Sequence, residues 1–129
     1  MFFYQCNECD NIVFSKNEKN IECCKKEMVR ILPNQVLEGE EMEDIHFLRI
    51  RKIGVLVSLE FEAPHPMLEV HHLKFAILET DKGFYYRDYN PGDTGMDFLI
   101  HNEEQIINAY VFCNQFGLIE AACIDDLTK

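Results

Sequence analysis

The sequence predicts an all-β chain in two parts, a small metal knot followed by an antiparallel β-sandwich. Three observations predict it. Cys6, Cys9, Cys23 and Cys24 crowd the start of the chain. Residues 46–123 alternate apolar and polar side chains with period two, the mark of half-buried strands. No convincing helical stripe interrupts those runs.

The knot is read first. A strand enters through FFYQC, the first cysteine pair makes a turn, NIVF forms a second short strand, SKNEKN is a polar turn, and IECC returns. Cys6 and Cys9 form a C-x2-C hook that turns two thiolates toward one point, and Cys23 with Cys24 completes a tetrahedral sulfur cage for iron or zinc. Adjacent cysteines pair with each other only under strain, which favours metal. Two disulfides in a secreted mini-domain are the alternative. So short a segment buries little apolar area, so metal binding would supply its folding energy. Pro33 and Asn34 begin a break, and the acidic run EGEEMED at 38–44 reads as a solvated linker. The expected domains are 1–35 and 36–129.

The strands of the second part follow in order. In HFLRIRK, His46, Leu48 and Ile50 share a face, with Arg49 and Arg51 opposite. Ile53, Val55, Val57, Leu59 and Phe61 share a face in the next strand. In HHLKFAILE, His71, Leu73, Phe75 and Ile77 lie on one side and His72, Lys74 and Ala76 on the other. FYYRDY is an aromatic strand ended by the turn NPGD at 90–93. Ile107, Ala109, Val111 and Cys113 align in QIINAYVFC, and LIEAACI closes the series. Strands at this spacing indicate a sandwich.

Polar residues on those apolar faces suggest a second centre. His46, His71 and Cys113 lie on core sides, and His65 sits in APHPM, where two prolines restrict its ring. Buried imidazoles need partners, and three of them with a thiolate could share iron, zinc or copper. Singly, each is explained as a hydrogen-bonded histidine or a small buried hydrophobe.

Composition narrows the function. The chain has 129 residues, 47% hydrophobic, and a net charge of -11. That charge argues against nucleic acid and anionic membranes as partners. No apolar run approaches the roughly 20 residues of a membrane span. The start MFFYQC lacks the pattern of a signal peptide. Together these place the chain in the cytoplasm, where thiols stay reduced.

The motifs together resemble desulfoferrodoxin, the two-iron superoxide reductase family, over nearly the whole chain. The C-x2-C hook with vicinal cysteines resembles its desulforedoxin-type first domain. His65-Pro66-Met67 with His71 resembles its HPM…H segment, Tyr86 through Asn90-Pro91-Gly92-Asp93 its strand and PGD turn, and Cys113-Asn114-Gln115-Phe116-Gly117-Leu118 its CN-x-HGL loop. The resemblance implies a rubredoxin-like knot followed by an immunoglobulin-like sandwich, as a homodimer. It implies iron, with zinc as the other metal either site could take. It implies a catalytic iron with four equatorial histidines, one axial cysteinate and an open position, which reduces superoxide to hydrogen peroxide. A lysine before the first histidine attracts the anion, and a rubredoxin-like protein is the expected electron donor. The cysteine-only centre is an accessory electron-transfer or structural site.

Carried over by residue, His46, His65 and His71 match three equatorial ligands and Cys113 the axial one. Phe116 stands in place of the fourth histidine, Ile45 in place of the lysine, and Asp44 in place of a glutamate. His46-Phe47-Leu48 replaces HVP. His72 points away from His71 in a regular strand, His101 is a solvated loop residue, and Cys123 is buried and inert. Lys52 and Lys74 have no predicted place near the site. The sequence assigns no catalytic residue. Two functions follow: a superoxide reductase with an altered centre, or a metal-binding or electron-transfer protein that has lost the reaction.

Overall fold

The computed structural model describes residues 1–34, 44–93 and 95–128. The acidic run lies outside them except for Asp44. The chain divides into two compact units, Met1–Leu32 and Pro33–Lys129. All regular structure among the described residues is β, apart from one 3-10 turn, Asp44–His46. Among the described residues no helix is long and apolar enough to cross a membrane.

The first unit is built on β1 (Phe2–Gln5), which lies between β2 (Ile12–Ser15) and β5 (Val29–Ile31), antiparallel to both. Between them a minimal hairpin joins β3 (Glu22–Cys23) to β4 (Lys26–Glu27). Alternation along β1 puts Phe3 against Phe14 on one face and Tyr4 with Cys6 and Met28 on the other. The Tyr4 hydroxyl accepts the Lys19 backbone N–H at 2.9 Å, which pins the polar loop. This core is very small, as expected of a fold that needs a staple.

The second unit is a sandwich of two four-stranded sheets. One has the order β10 (Met96–Leu99), β7 (Leu56–Phe61), β6 (Leu48–Ile53), β13 (Cys123–Asp126). The other has the order β12 (Gly117–Glu120), β11 (Ile106–Cys113), β8 (Leu73–Thr80), β9 (Gly83–Asp88). Val57 and Leu59 from the first sheet meet Leu78, Ala109 and Val111 from the second, all fully buried.

Several strand faces differ from the alternation read along the sequence. Ile53 ends β6 and is 55% exposed, because a turn at Gly54, with φ of 62°, separates it from Val57 and Leu59. In β8, Ala76 and Leu78 face the other sheet, and a register shift between Phe75 and Leu73 brings Leu73 to the same side. Phe75 and Ile77 lie opposite, where Phe75 stacks between Phe112 and Tyr86. Both faces of β8 are covered, so alternation alone does not say which one meets the other sheet. A second shift near Ile106 turns Ile107 outward while Ala109, Val111 and Cys113 face the core. The closing segment LIEAACI splits into two strands: β12 pairs with β11, and β13 crosses to pair parallel with β6. Ala121 and Ala122 make the crossing, donating to Ala109 and Leu48 at 2.9 Å each. Cys123 is half-buried and its sulfur accepts from Arg49 Nη1 at 3.6 Å, so it is not a sealed core thiol.

Two polar devices were not read from the sequence. Asn34 does not begin a free linker; it is clamped on β12. Its N–H donates to Leu118 O at 2.7 Å, its carbonyl accepts Glu120 N–H at 2.9 Å, and its Nδ2 donates to Phe116 O at 3.1 Å. Glu104 is a buried carboxylate, 3% exposed. It accepts from Tyr85 OH at 2.7 Å, from His101 N–H at 3.0 Å, and from the Thr80 hydroxyl. Burial would raise its pKa, but these donors outweigh it and hold the carboxyl below its usual value. Glu104→Leu removes the acceptor of the buried Thr80 hydroxyl, the half-buried Tyr85 hydroxyl and the His101 N–H, and should cost about 2–3 kcal/mol in urea denaturation. A loss below about 0.5 kcal/mol would mean the network is not structural.

Candidate metal centres

In the knot, two tight turns aim four sulfurs at one point. The first closes when Cys6 N–H donates to Asn11 O and Asp10 N–H donates back to Cys6 O, both at 2.9 Å, with Asp10 left-handed at φ 62°. The second is the two-residue link Cys24-Lys25 of the β3–β4 hairpin. Both residues have positive φ, 54° and 63°, the conformation of a type I′ turn, here without glycine. The left-handed backbone at Cys24 lets neighbouring cysteines point to the same place. Cys6, Cys9, Cys23 and Cys24 lie with all sulfurs within 4.8 Å of one another. Cys9 Sγ is 3.6 Å from Cys23 Sγ, which is 3.9 Å from Cys24 Sγ. A tetrahedron of sulfurs about 2.3 Å from its centre has edges of about 3.8 Å, and these two separations match it, so the cage fits zinc or iron. Crowding separates the thiols electrically. Backbone donors at Cys9 and Glu8 pull Cys6 down to about 7, while sharing with Cys9 and Cys6 pushes Cys23 up to about 12.

The second group sits at one end of the sandwich, with donors from three segments, the loop between β7 and β8 supplying two of them. His46 ends the 3-10 turn before β6. His65 lies in the loop after β7. His71 lies two residues before β8, and Cys113 ends β11. Their donor atoms also lie within 4.8 Å of one another. His46 Nε2 is 3.4 Å from His71 Nε2 and 3.7 Å from Cys113 Sγ. His46, His65 and Cys113 are buried, and His71 is half-buried.

Two donors, His65 and Cys113, carry a supporting hydrogen bond of their own, and His71 is fixed by the loop that bears it. His65 Nδ1–H donates to Pro66 O at 2.7 Å, which leaves a lone pair on Nε2. That Nε2 is buried with no hydrogen-bond partner among the described residues. A bare imidazole nitrogen facing two other imidazoles and a thiol is what a metal ion would satisfy. The ligand loop closes on itself where Leu68 and His71 exchange backbone bonds at 2.8 and 3.1 Å. Asn114 fastens it to β11: its Oδ1 accepts His72 N–H at 2.8 Å, its N–H donates to His72 O at 3.1 Å, and its Nδ2 donates to Val70 O at 3.2 Å. The Phe116 N–H donates to Cys113 Sγ at 3.5 Å. In the sequence Asn114 is one residue of the Cys113–Leu118 motif, and its role as a tie depends on loop geometry.

Phe116 lies beside the donors. Its ring stacks on His46 with centroids 4.3 Å apart and planes 16° from parallel. The donor set therefore fits one metal ion with four ligands and does not fit the five-ligand iron implied by the resemblance. His72 is turned away, its Nδ1 engaged by Leu68 O and Glu69 O at 3.0 and 3.1 Å. His101 is an exposed loop residue. Lys52 Nζ donates to Thr128 Oγ1 at 3.5 Å, and Lys74 Nζ lies 6.0 Å from the Phe112 ring centre.

No protein-family model matches the chain. A desulfoferrodoxin homolog from Methanothermobacter thermautotrophicus is 27% identical over 119 residues, which is 89% of this chain and 93% of that protein. In solved structures, the fold matches the superoxide reductase from Treponema pallidum with a TM-score of 0.77. That alignment covers 93% of this chain and 96% of the other at 19% identity.

Two outcomes test the centres. Cys9→Ser or Cys24→Ser should remove one metal equivalent per chain and loosen residues 1–32, because metal binding is folding energy there. Unchanged metal content in both variants would refute the four-thiolate cage. In the metal-free chain, His46 is held down to about 4, first by burial and then by the His65 and His71 rings. Burial lowers His65 as well. The folded chain thus prefers neutral rings. Their share of stability is present above the ordinary value of 6.5 and is lost as pH falls through about 4. Ring resonances of His46 in a metal-free titration should begin to move only near that pH; a midpoint at 6.5 would contradict the buried cluster.

Proposed function

We propose that this chain, desulfoferrodoxin-like in sequence and superoxide-reductase-like in fold, is a two-centre non-haem metal protein of the superoxide reductase type. In this reading the altered sandwich centre leaves superoxide reduction weak or absent. Cys6, Cys9, Cys23 and Cys24 would hold one iron, and His46, His65, His71 and Cys113 would hold the second metal. Iron, when bound, supplies one-electron chemistry; the reaction at issue adds one electron and two protons to superoxide to give hydrogen peroxide. The intact knot supports retained electron transfer, with a rubredoxin-like protein as donor and the cytoplasm, where thiols stay reduced, as its setting.

The observation that carries the loss is Phe116 stacked on His46. A phenyl ring offers no donor and places an apolar wall beside the imidazole. Pro66 O and the Phe116 N–H still orient His65 and tune Cys113, so the scaffold of the site is kept. Attraction of an anion is reduced as well. Ile45 brings no charge to the turn that carries His46, on a chain of net charge -11.

The test is peroxide formed per superoxide consumed, alongside iron bound per chain. Wild type should be slow. Phe116→His should raise the rate by completing five ligands. Ile45→Lys added to it should raise the rate further, on the order of tenfold at low salt, and less at high salt. A wild-type rate already near that of the double variant would sink the proposal and leave an active superoxide reductase.

A further inference from the structure

The two donor separations at the sandwich centre discriminate between coordination shapes. Neighbouring nitrogens at right angles around an ion, each about 2.1 Å away, would be about 3.0 Å apart, and a nitrogen and a sulfur at right angles about 3.1 Å. At tetrahedral angles the same bonds give about 3.4 Å and about 3.6 Å. The observed separations are 3.4 Å for His46 Nε2 to His71 Nε2 and 3.7 Å for Cys113 Sγ to His46 Nε2. Both lie nearer the tetrahedral values than the right-angle ones.

We infer that His46, His65, His71 and Cys113 form a closed, four-coordinate site for a tetrahedral divalent ion of the zinc class, with Phe116 as the wall that excludes a fifth ligand. The inference rests on the proposal that the sandwich binds metal, and it goes further by stating shape and metal class. Three further observations agree with it. The donors are three imidazoles and one thiolate, a set suited to zinc, and structural zinc sites are four-coordinate without an open position. The donors are set before any ion arrives: His65 is fixed in the right tautomer by Pro66 O, and the His71 turn is fastened by Asn114. The Phe116 backbone is fixed on both sides, since its N–H is bonded to Cys113 Sγ and its carbonyl accepts from Asn34 Nδ2, and from that backbone the ring stacks on His46. One-electron chemistry then belongs to the knot, and the metal of the sandwich ties together the three segments that converge on the end of β11.

Cobalt(II) reports coordination number through its visible spectrum, since tetrahedral cobalt absorbs several-fold more strongly than five- or six-coordinate cobalt. The full chain is titrated with cobalt(II), with and without Cys113→Ser, and the difference isolates the sandwich from the knot. The expected difference spectrum has intense long-visible bands plus a thiolate band, and zinc abolishes both. Phe116→His should lose most of the long-visible intensity, because the added imidazole makes a fifth ligand. A weak five- or six-coordinate spectrum in the wild type overturns the inference while leaving the metal-binding proposal intact. Identical intensities in wild type and Phe116→His overturn the role of the wall. No difference signal at all, with cobalt bound only by the knot, overturns the inference and the proposal beneath it.

Discussion

The paired hydrogen bonds between Asn114 and His72, one from the Asn114 side chain and one from its backbone, hold the end of β11 against the loop that carries His65 and His71, and the sandwich centre depends on them. Alternation from Ala109 through Val111 turns Cys113 inward, and the register shift, whose extra residue lies in β8, sets Leu73 opposite it. From there the chain must reverse within a few residues to begin β12 at Gly117, where φ is 91°. That reversal carries Phe116 over His46, and Asn34 holds it from the outside. A shift of even one residue in β11 would send Cys113 to the other face and disperse the donors, because strand side chains alternate.

The two centres solve the same problem with different means. In the knot, almost no hydrophobic core exists, so tight turns with left-handed residues Asp10, Cys24 and Lys25 aim the thiols. Left-handed backbone in non-glycine residues costs roughly 1 kcal/mol each, and metal binding offsets it. In the sandwich, a large apolar core already fixes the strands, and the donors are placed at its edge by second-layer hydrogen bonds. Removal of metal should therefore affect the first unit's folding far more than the second's. Both arrangements arrive at donor separations expected for a tetrahedral ion.

Charge reinforces the contrast with an anion-reducing site. The chain is strongly acidic, and the turn before His46 presents Ile45 rather than a cation. An apolar ring beside His46 and the lack of a cation at Ile45 both act against a small anion, through desolvation and through the absence of electrostatic attraction.

The donor residues were legible in the sequence, because cysteine spacing and histidines beside strand runs are local patterns. So was the all-β class, since period two is written along the chain. The choice of face in β8, the outward turn of Ile107, the split of LIEAACI between two sheets and the clamp at Asn34 were not. Each depends on a bulge, a crossing or a pairing with a strand far away in the chain, and alternation counts residues without knowing where register slips. The absence of a histidine at position 116 was also plain in the sequence. Only the tertiary structure decided what Phe116 does, because stacking on His46 requires the end of β11 and the turn before β6 to meet, and hydrophobic packing between sheets sets that meeting.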